Sequence, residues 1–364
     1  MYCPKCGEEN RDDAKVCGAC NSVLTKTPAQ AQDIDVKNSG MAITALVLGI
    51  LSIFTCGITA IPAIILGIVG LVKIEKSGGT LTGRGFAIAG IIVPVLSVPI
   101  IALLMGILMP AMARTRQIAF RMTCGTNLSG IGKAMLIYSN DYDDELPRSA
   151  GRNATWQPRI PNWQASDRFR AYGVSSNGQG GQGSISSCFY LLIKYAEVTP
   201  KTFICKGDFG TTEFKPYEEG AGNMDLIDFW DFGDDPTDNC SYSYHMPFGM
   251  YALTTSSEPG MPVAADRNPF IRSPMDEARD ISLFSPEGGT RAIRMGNAIQ
   301  HQEDGQNVLF LDSHVEFVKS PNRGIDEDNI YTFWDGRDIR RGSPPTLGSQ
   351  PMGRTDSLLV HDGH

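Results

Sequence analysis

Two stretches without a charged side chain limit what this chain can become: residues 41–72, 32 positions long, and residues 86–113, 28 positions long. About 20 apolar residues in a helix cross the hydrocarbon core of a bilayer, so each stretch is long enough to do so. The alternative is the buried helical core of a soluble domain. Gly49, Gly57, Gly67 and Gly70, with Ala42, Ala45, Ala60 and Ala63, give the first stretch the small surfaces through which membrane helices approach one another. The chain opens on a polar, Cys-rich segment where a secretory signal would place a short apolar core, so membrane entry is expected to use an internal segment. At 364 residues there is room for two or three units rather than one. A net charge of -8 and the lack of a basic stripe after residue 140 argue against a nucleic-acid partner, since phosphate binding needs a basic face.

The nine cysteines fall into three groups: four in the first 20 residues, Cys56 in an apolar stretch, and Cys124, Cys188, Cys205 and Cys240 downstream. Cys3-Pro-Lys-Cys6 and Cys17-Gly-Ala-Cys20 are two C-x-x-C knuckles with ten residues between them. Tetrahedral zinc takes soft or borderline ligands at about 2.3 Å, and a C-x-x-C turn puts two thiolates on one side of the ion. Gly7 and Gly18 each follow a ligand, where a tight turn aims backbone N–H groups at sulfur. A segment of roughly 24 residues buries too little to fold alone, so the metal must supply most of its folding free energy. Two disulfides are the alternative and would need an oxidising compartment. A shell of four thiolates leaves no open position, so a structural zinc held by Cys3, Cys6, Cys17 and Cys20 is predicted rather than a catalytic one. The pattern resembles, over residues 1–24, the zinc ribbons at the cytoplasmic start of many bacterial membrane proteins. In those the ribbon is an interaction or structural module.

Residues 25–40 are polar and of mixed charge and read as a linker. The loop of residues 73–84 is basic, and positive loops prefer the cytoplasm, as does a reduced zinc-thiolate module. Both preferences hold if residues 41–72 fold back near Thr55-Cys56-Gly57 into a hairpin with legs of about 14 to 16 residues, short of the usual span. A third helix, from about residue 86 to 110, then leads outward, so residues 41–113 hold three helices in the bacterial inner membrane. The N-terminus is cytoplasmic in this arrangement and the C-terminal domain extracytoplasmic. A single crossing by residues 41–72 is the alternative and reverses the last placement. Residues 65–90 resemble a bacterial membrane domain of unknown function in which two small-residue-rich hydrophobic segments flank such a loop, often preceded by a zinc ribbon. That resemblance implies location, not activity.

Beyond Pro110-Ala-Met-Ala-Arg114, apolar residues recur at Phe120, Cys124, Leu128, Ile131, Met135 and Tyr138, at helical spacings of four and three. The helix should carry one apolar stripe, which a sheet built from downstream segments would cover. The alternative is an amphipathic helix lying on lipid with Arg114, Arg116 and Arg121 toward headgroups. The order of several segments is similar to a large bacterial family of pilin-like, type II secretion-like pseudopilins. They are Cys124-Gly-Thr-Asn-Leu-Ser-Gly-Ile-Gly132, Tyr138-Ser-Asn-Asp-Tyr-Asp-Asp-Glu-Leu-Pro147, Thr202-Phe-Ile-Cys205, Cys240-Ser-Tyr-Ser-Tyr244, Pro262-Val-Ala-Ala-Asp-Arg267 and the run from His301 to Val315. In the last of these the family has a His, nine residues, then Asp-Gly; here ten residues separate His301 from Asp312, and Ser313 replaces the Gly. Gly90 stands where a prepilin places a Glu after the cleavage site, here Gly85-Phe86. The resemblance implies a multidomain chain ending in an α+β head over residues 114–335, a long N-terminal helix packed on an antiparallel sheet. It implies a non-enzymatic role with protein partners in envelope assembly or secretion. The alternative is a membrane sensor or ligand-binding protein whose ribbon docks a cytosolic partner.

No nucleophile elbow, Walker loop or dinucleotide fingerprint appears, so no catalytic residue and no small-molecule substrate is predicted. The run from Asn307 to Val318 reads as a β-hairpin turning at Asp312-Ser313. His301, Asp312 and His314 are expected to hydrogen-bond inside the fold, with a shared metal as the alternative. Asp231, Asp234, Asp235 and Asp238 offer oxygen ligands for calcium or form a solvated loop, and Asp141, Asp143, Asp144 and Glu145 read the same way. Cys205 with Cys240, and Cys124 with Cys188, are candidate disulfides; the connectivity of four cysteines stays open, and buried free thiols are the alternative. Trp156, Trp163 and Trp230 belong to a core or line a binding face. Residues 173–187 are expected to be a flexible Gly/Ser loop, and residues 336–364 an irregular tail over the head.

Overall fold

The computed structural model describes residues 1–24, 37–55, 57–217 and 224–363, and it divides into two units, Met1–Ala111 and Met112–His364. Most of the expected linker, residues 25–36, and Cys56 at the expected fold-back lie outside the described residues.

In the first unit, β1 (Lys37–Asn38) leads into α1 (Gly40–Phe54) and α2 (Ala60–Lys76), and β2 (Leu81–Thr82), which pairs in parallel with β1, leads into α3 (Arg84–Asp141). Helix α1 buries Ala42, Ala45, Gly49 and Ser52; α2 buries Ala60, Ala63, Gly67 and Gly70. Both sets are spaced three, four and three, which is one face of a helix. The large aliphatics Ile43, Val47, Ile50, Ile61, Ile65 and Ile68 point outward. Water would favour the reverse, because the side chains with most apolar area gain most from burial. In lipid, hiding aliphatic surface gains nothing, and helices associate through small residues that let backbones approach. The legs run antiparallel: the Thr59 hydroxyl donates to the Leu48 carbonyl at 3.2 Å, and Gly70 lies against Ala42. At 15 and 17 residues, α1 and α2 are roughly 22 and 25 Å long, short of a hydrocarbon core of about 30 Å.

The start of α3 packs on this pair, closely enough that a Cβ on Gly90 would come within 2.7 Å of the Ala45 carbonyl carbon. The expected membrane segment and the amphipathic stripe are parts of one helix of 58 residues, which contains Pro94, Pro99 and Pro110. Proline is tolerated inside membrane helices, where neighbouring helices and local adjustments satisfy the freed carbonyls. Among the described residues, α3 alone is long and apolar enough to cross a membrane. Only 6% of its most apolar 18-residue stretch is buried, which removes the reading of that stretch as a soluble core.

In the second unit α3 buries Cys124, Leu128, Ile131, Met135 and Tyr138 of the stripe read from the sequence, with Ala134 beside them; Phe120 is half-buried with the Arg116 guanidinium 5.1 Å over its ring. Next come β3 (Thr155–Trp156), α4 (Arg168–Tyr172), β4 (Gln182–Gly183), which pairs in parallel with β3, and α5 (Ile185–Ala196). Five strands then form an antiparallel sheet, β5 (Tyr242–His245), β6 (Pro262–Asp266), β7 (Gln306–Phe310), β8 (Val315–Val318) and β9 (Leu359–Val360), in the order β8-β7-β6-β5-β9. The register sets Val360, Tyr244, Ala264 and Leu309 in one cross-strand row. That row faces the main core with α3 and α5, while Leu359, Ala265 and Val308 face a smaller core with Phe270, Phe284 and Tyr331. Gly132 lets α3 approach the sheet, since a Cβ there would sit 2.7 Å from Leu309 Cδ1.

Two expectations are corrected here. Residues 336–364 are not simply a tail over the head: β9 is an edge strand on β5, and Asp362 caps α5 by accepting the Ile185 and Ser186 N–H groups at 2.8 and 2.7 Å. Residues 173–187 are not one free loop, for they contain β4, the Ser184 N-cap and the first turn of α5.

Candidate metal centre

The first 24 residues fold as two copies of one small turn. Around Cys3, its N–H donates to the Glu8 carbonyl and its carbonyl accepts from Gly7 N–H; around Cys17, its N–H donates to Ser22 and its carbonyl accepts from Asn21 N–H. Gly7 (φ 77°) and Asn21 (φ 52°) therefore occupy equivalent left-handed positions, which Gly and Asn accept most readily. Gly18, expected as the counterpart of Gly7, instead donates its N–H to Asn10 Oδ1 at 2.9 Å. Asn10 Nδ2 in turn points at Cys17 Sγ, 3.4 Å away, so one side chain links the two turns.

The four thiols converge, with every Sγ within 4.8 Å of the others. Cys3 lies 3.6 Å from Cys20 and Cys6 lies 3.6 Å from Cys17. A tetrahedron with metal–sulfur bonds of about 2.3 Å has edges of ~3.8 Å, whereas a disulfide holds sulfurs at ~2.05 Å. The spacing fits an ion and not the pair of disulfides weighed above. The Ser22 hydroxyl, together with the Lys5 N–H, holds the Cys3 thiol down to about 6. The N–H groups of Ala19 and Cys20 lower Cys17. Cys6 is favoured as thiolate by the Glu8 N–H yet is pushed up to about 12, first by Cys20 among its neighbours. Crowded sulfurs resist further negative charge, which is the deficit a dication removes.

Residues 2–24 match the zinc-ribbon domain family. The centre is a ribbon site for structural zinc, with Cys3, Cys6, Cys17 and Cys20 as its ligand set and no position left open for a substrate. Residues 41–104, the hairpin and the start of α3, match a domain of unknown function, DUF4190. No curated protein and no solved structure matches the chain. The ribbon and the DUF4190 domain, with one helix among the described residues long and apolar enough to cross a membrane, point to a membrane-associated protein.

The candidate sites in the head are arranged differently from the sequence reading. His301 is fully buried, whereas Asp312 and His314 are exposed at the β7–β8 turn, where their side chains pair at 2.5 Å and the imidazole stacks on Phe310. The five residues of β7, about 17 Å of strand, separate that turn from His301, so the three do not share a metal. Cys124 is bonded to Cys205, and neither expected pairing forms. Cys188 sits inside α5 against Ser149, Cys240 lies just before β5, and burial pushes both free thiols up to about 12. The acidic residues do not converge: the Ser184 hydroxyl and Phe232 N–H bind buried Asp231, the Trp163 indole binds Asp234, and Asp235 and Asp238 are exposed. Calcium therefore has no cage among the described residues there. Asp141, Asp143 and Asp144 are exposed, and Glu145 pairs with Arg148 and Arg152. Trp156, Trp163 and Trp230 are core residues, each with its indole N–H bonded.

Sequence reading missed Asp266 and Asn307. Asp266, at the end of β6, is fully buried and accepts from Asn307 N–H at 2.6 Å and from Asn307 Nδ2 at 3.1 Å; His301 Nε2 lies 3.1 Å from the same oxygen. The available signal was a carboxylate closing an otherwise apolar strand, Pro262-Val-Ala-Ala-Asp266.

Proposed function

We propose that the chain is a membrane-anchored, pilin- or pseudopilin-like protein with a cytoplasmic zinc ribbon, acting without catalysis in envelope assembly or secretion. One observation carries the reading: a single helix, α3, is lipid-like in its first half and lays an apolar stripe on an antiparallel sheet in its second. A helix of that kind joins a membrane segment to an α+β head. The basic Lys73 and Lys76 at the end of α2 and the thiolate ligands of the ribbon favour the cytoplasmic side for both. The head is then extracytoplasmic, where a Cys124–Cys205 disulfide is stable.

Protease treatment of intact spheroplasts tests this arrangement: degradation of the head with survival of the ribbon is expected, and a protected head contradicts it. Crosslinking on cells should recover envelope or secretion proteins bound to the head. A second reading is a membrane sensor whose ribbon docks a cytosolic partner. It draws on the exposure of Tyr2, Val16 and Val23, apolar side chains the ribbon leaves uncovered. Ligand-dependent change in ribbon crosslinks, with none from the head, would favour it.

A further inference from the structure

The Cys124–Cys205 disulfide is surrounded by groups that a disulfide does not need. His301 Nε2 lies 3.8 Å from Cys205 Sγ, and Asp266 Oδ2 lies 3.1 Å from the same nitrogen. The two sulfurs, an Asp266 oxygen and a His301 nitrogen all fall within 4.8 Å of one another, and all four residues are fully buried. Asn307 fixes the carboxylate by donating both its N–H and its side-chain N–H to Oδ2. Asp266 Oδ1 and His301 Nδ1 have no hydrogen-bond partner. A purely structural hydrogen-bonding role leaves Asp266 Oδ1 and His301 Nδ1 unsatisfied in a dry interior, where an unpaired polar atom is costly. Two thiols, an imidazole and a carboxylate held by a neighbouring amide are instead the donor set of a tetrahedral zinc site with its outer support in place. The 3.1 Å separation of the nitrogen and oxygen ligands is close to the ~3.3 Å edge expected for bonds of about 2.0 Å.

We propose that Cys124, Cys205, Asp266 and His301 form a second site for zinc when the chain is reduced, so that a disulfide and a divalent cation are alternative occupants of one pocket. A dithiol reductant supplies the two electrons. The Cys124–Cys205 bond breaks, two thiols form, and the reductant leaves as its own disulfide. Zinc then displaces one proton from each thiol, while the imidazole lone pair and the carboxylate complete the shell. Cys124 and Cys205 must part from bonding distance to ~3.8 Å. In an oxidising compartment the head is closed by the covalent bond; in a reducing one it is closed by the ion.

Zinc content of the full chain in detergent, by mass spectrometry of the metal, tests this. Oxidised protein should hold one zinc, in the ribbon, and protein purified anaerobically with a dithiol should hold two. His301→Gln and Cys205→Ser should each return the reduced protein to one. Cys17→Ser, which disables the ribbon, isolates the head: no firmly held zinc when oxidised and one when reduced. Cobalt substitution of that reduced variant should give the weaker thiolate charge-transfer absorption of two sulfurs rather than four. A reduced Cys17→Ser chain without metal, or a second zinc that persists in both head variants, overturns the proposal.

Discussion

The ribbon and the head face the same problem, how to hold a chain in one shape, with very different resources. The ribbon's core is Cys3, Cys17 and Leu24, with Met1, Ala14 and Cys20 packed partly against it. The head's core runs from Cys124 to Val360 and includes Phe189, Phe203, Phe232, Tyr242 and Tyr244. Sulfur is therefore the ribbon's framework and only an addition in the head. Where apolar area is scarce, metal–ligand bonds replace it; where area is ample, a cross-link trims the unfolded ensemble.

Removing metal should separate the two regions most sharply. A strong chelator or Cys17→Ser should unfold the ribbon, since structural zinc contributes on the order of 10 kcal/mol to such a module. Amide exchange should then show the ribbon unprotected and the head unchanged; a ribbon that stays protected would refute the contrast. Cys124→Ala with Cys205→Ala should weaken the head without unfolding it. The bridged residues are 81 apart, so a loss of about 4 to 5 kcal/mol is expected in denaturant titration. Failure of that variant to fold would place the head in the ribbon's class. Gly132→Ala drives a Cβ to 2.7 Å from Leu309 Cδ1 and should cost about 1 to 3 kcal/mol, read as a lower midpoint.

A further effect is one of pH. Burial, then the neighbouring Asp362, raises the Asp231 carboxyl to about 8. A carboxyl that binds its proton more tightly when folded favours the folded state while protonated, so its contribution falls as pH rises from about 4 to about 8. Asp231→Asn keeps the neutral shape and should flatten that slope, so the variant gains on the parent as pH rises through that window. An unchanged pH profile would show that Asp231 does not govern it.

What could be read in the sequence was local. The ribbon's ligands lie within 18 residues, and the β7–β8 hairpin needs only an alternating pattern about a turn. The α3 stripe followed from helical spacing alone. The disulfide did not, because it joins a helix to a segment 81 residues away, and only packing chooses among four cysteines. Asp362 was equally hidden: it looks like a tail residue, yet it caps a helix that begins 177 positions earlier. The small residues of α1 and α2 were visible as composition, but their shared spacing, which makes them a packing face, needed both helices in view.

The account turns on where the head lies. Met250 is 86% exposed on it, and a Met250→Cys chain can be labelled in intact spheroplasts with a membrane-impermeant maleimide, the site of reaction being read by peptide mass. Labelling at position 250 before permeabilisation is the predicted result; labelling there only after permeabilisation would put the head in the cytoplasm and contradict the account.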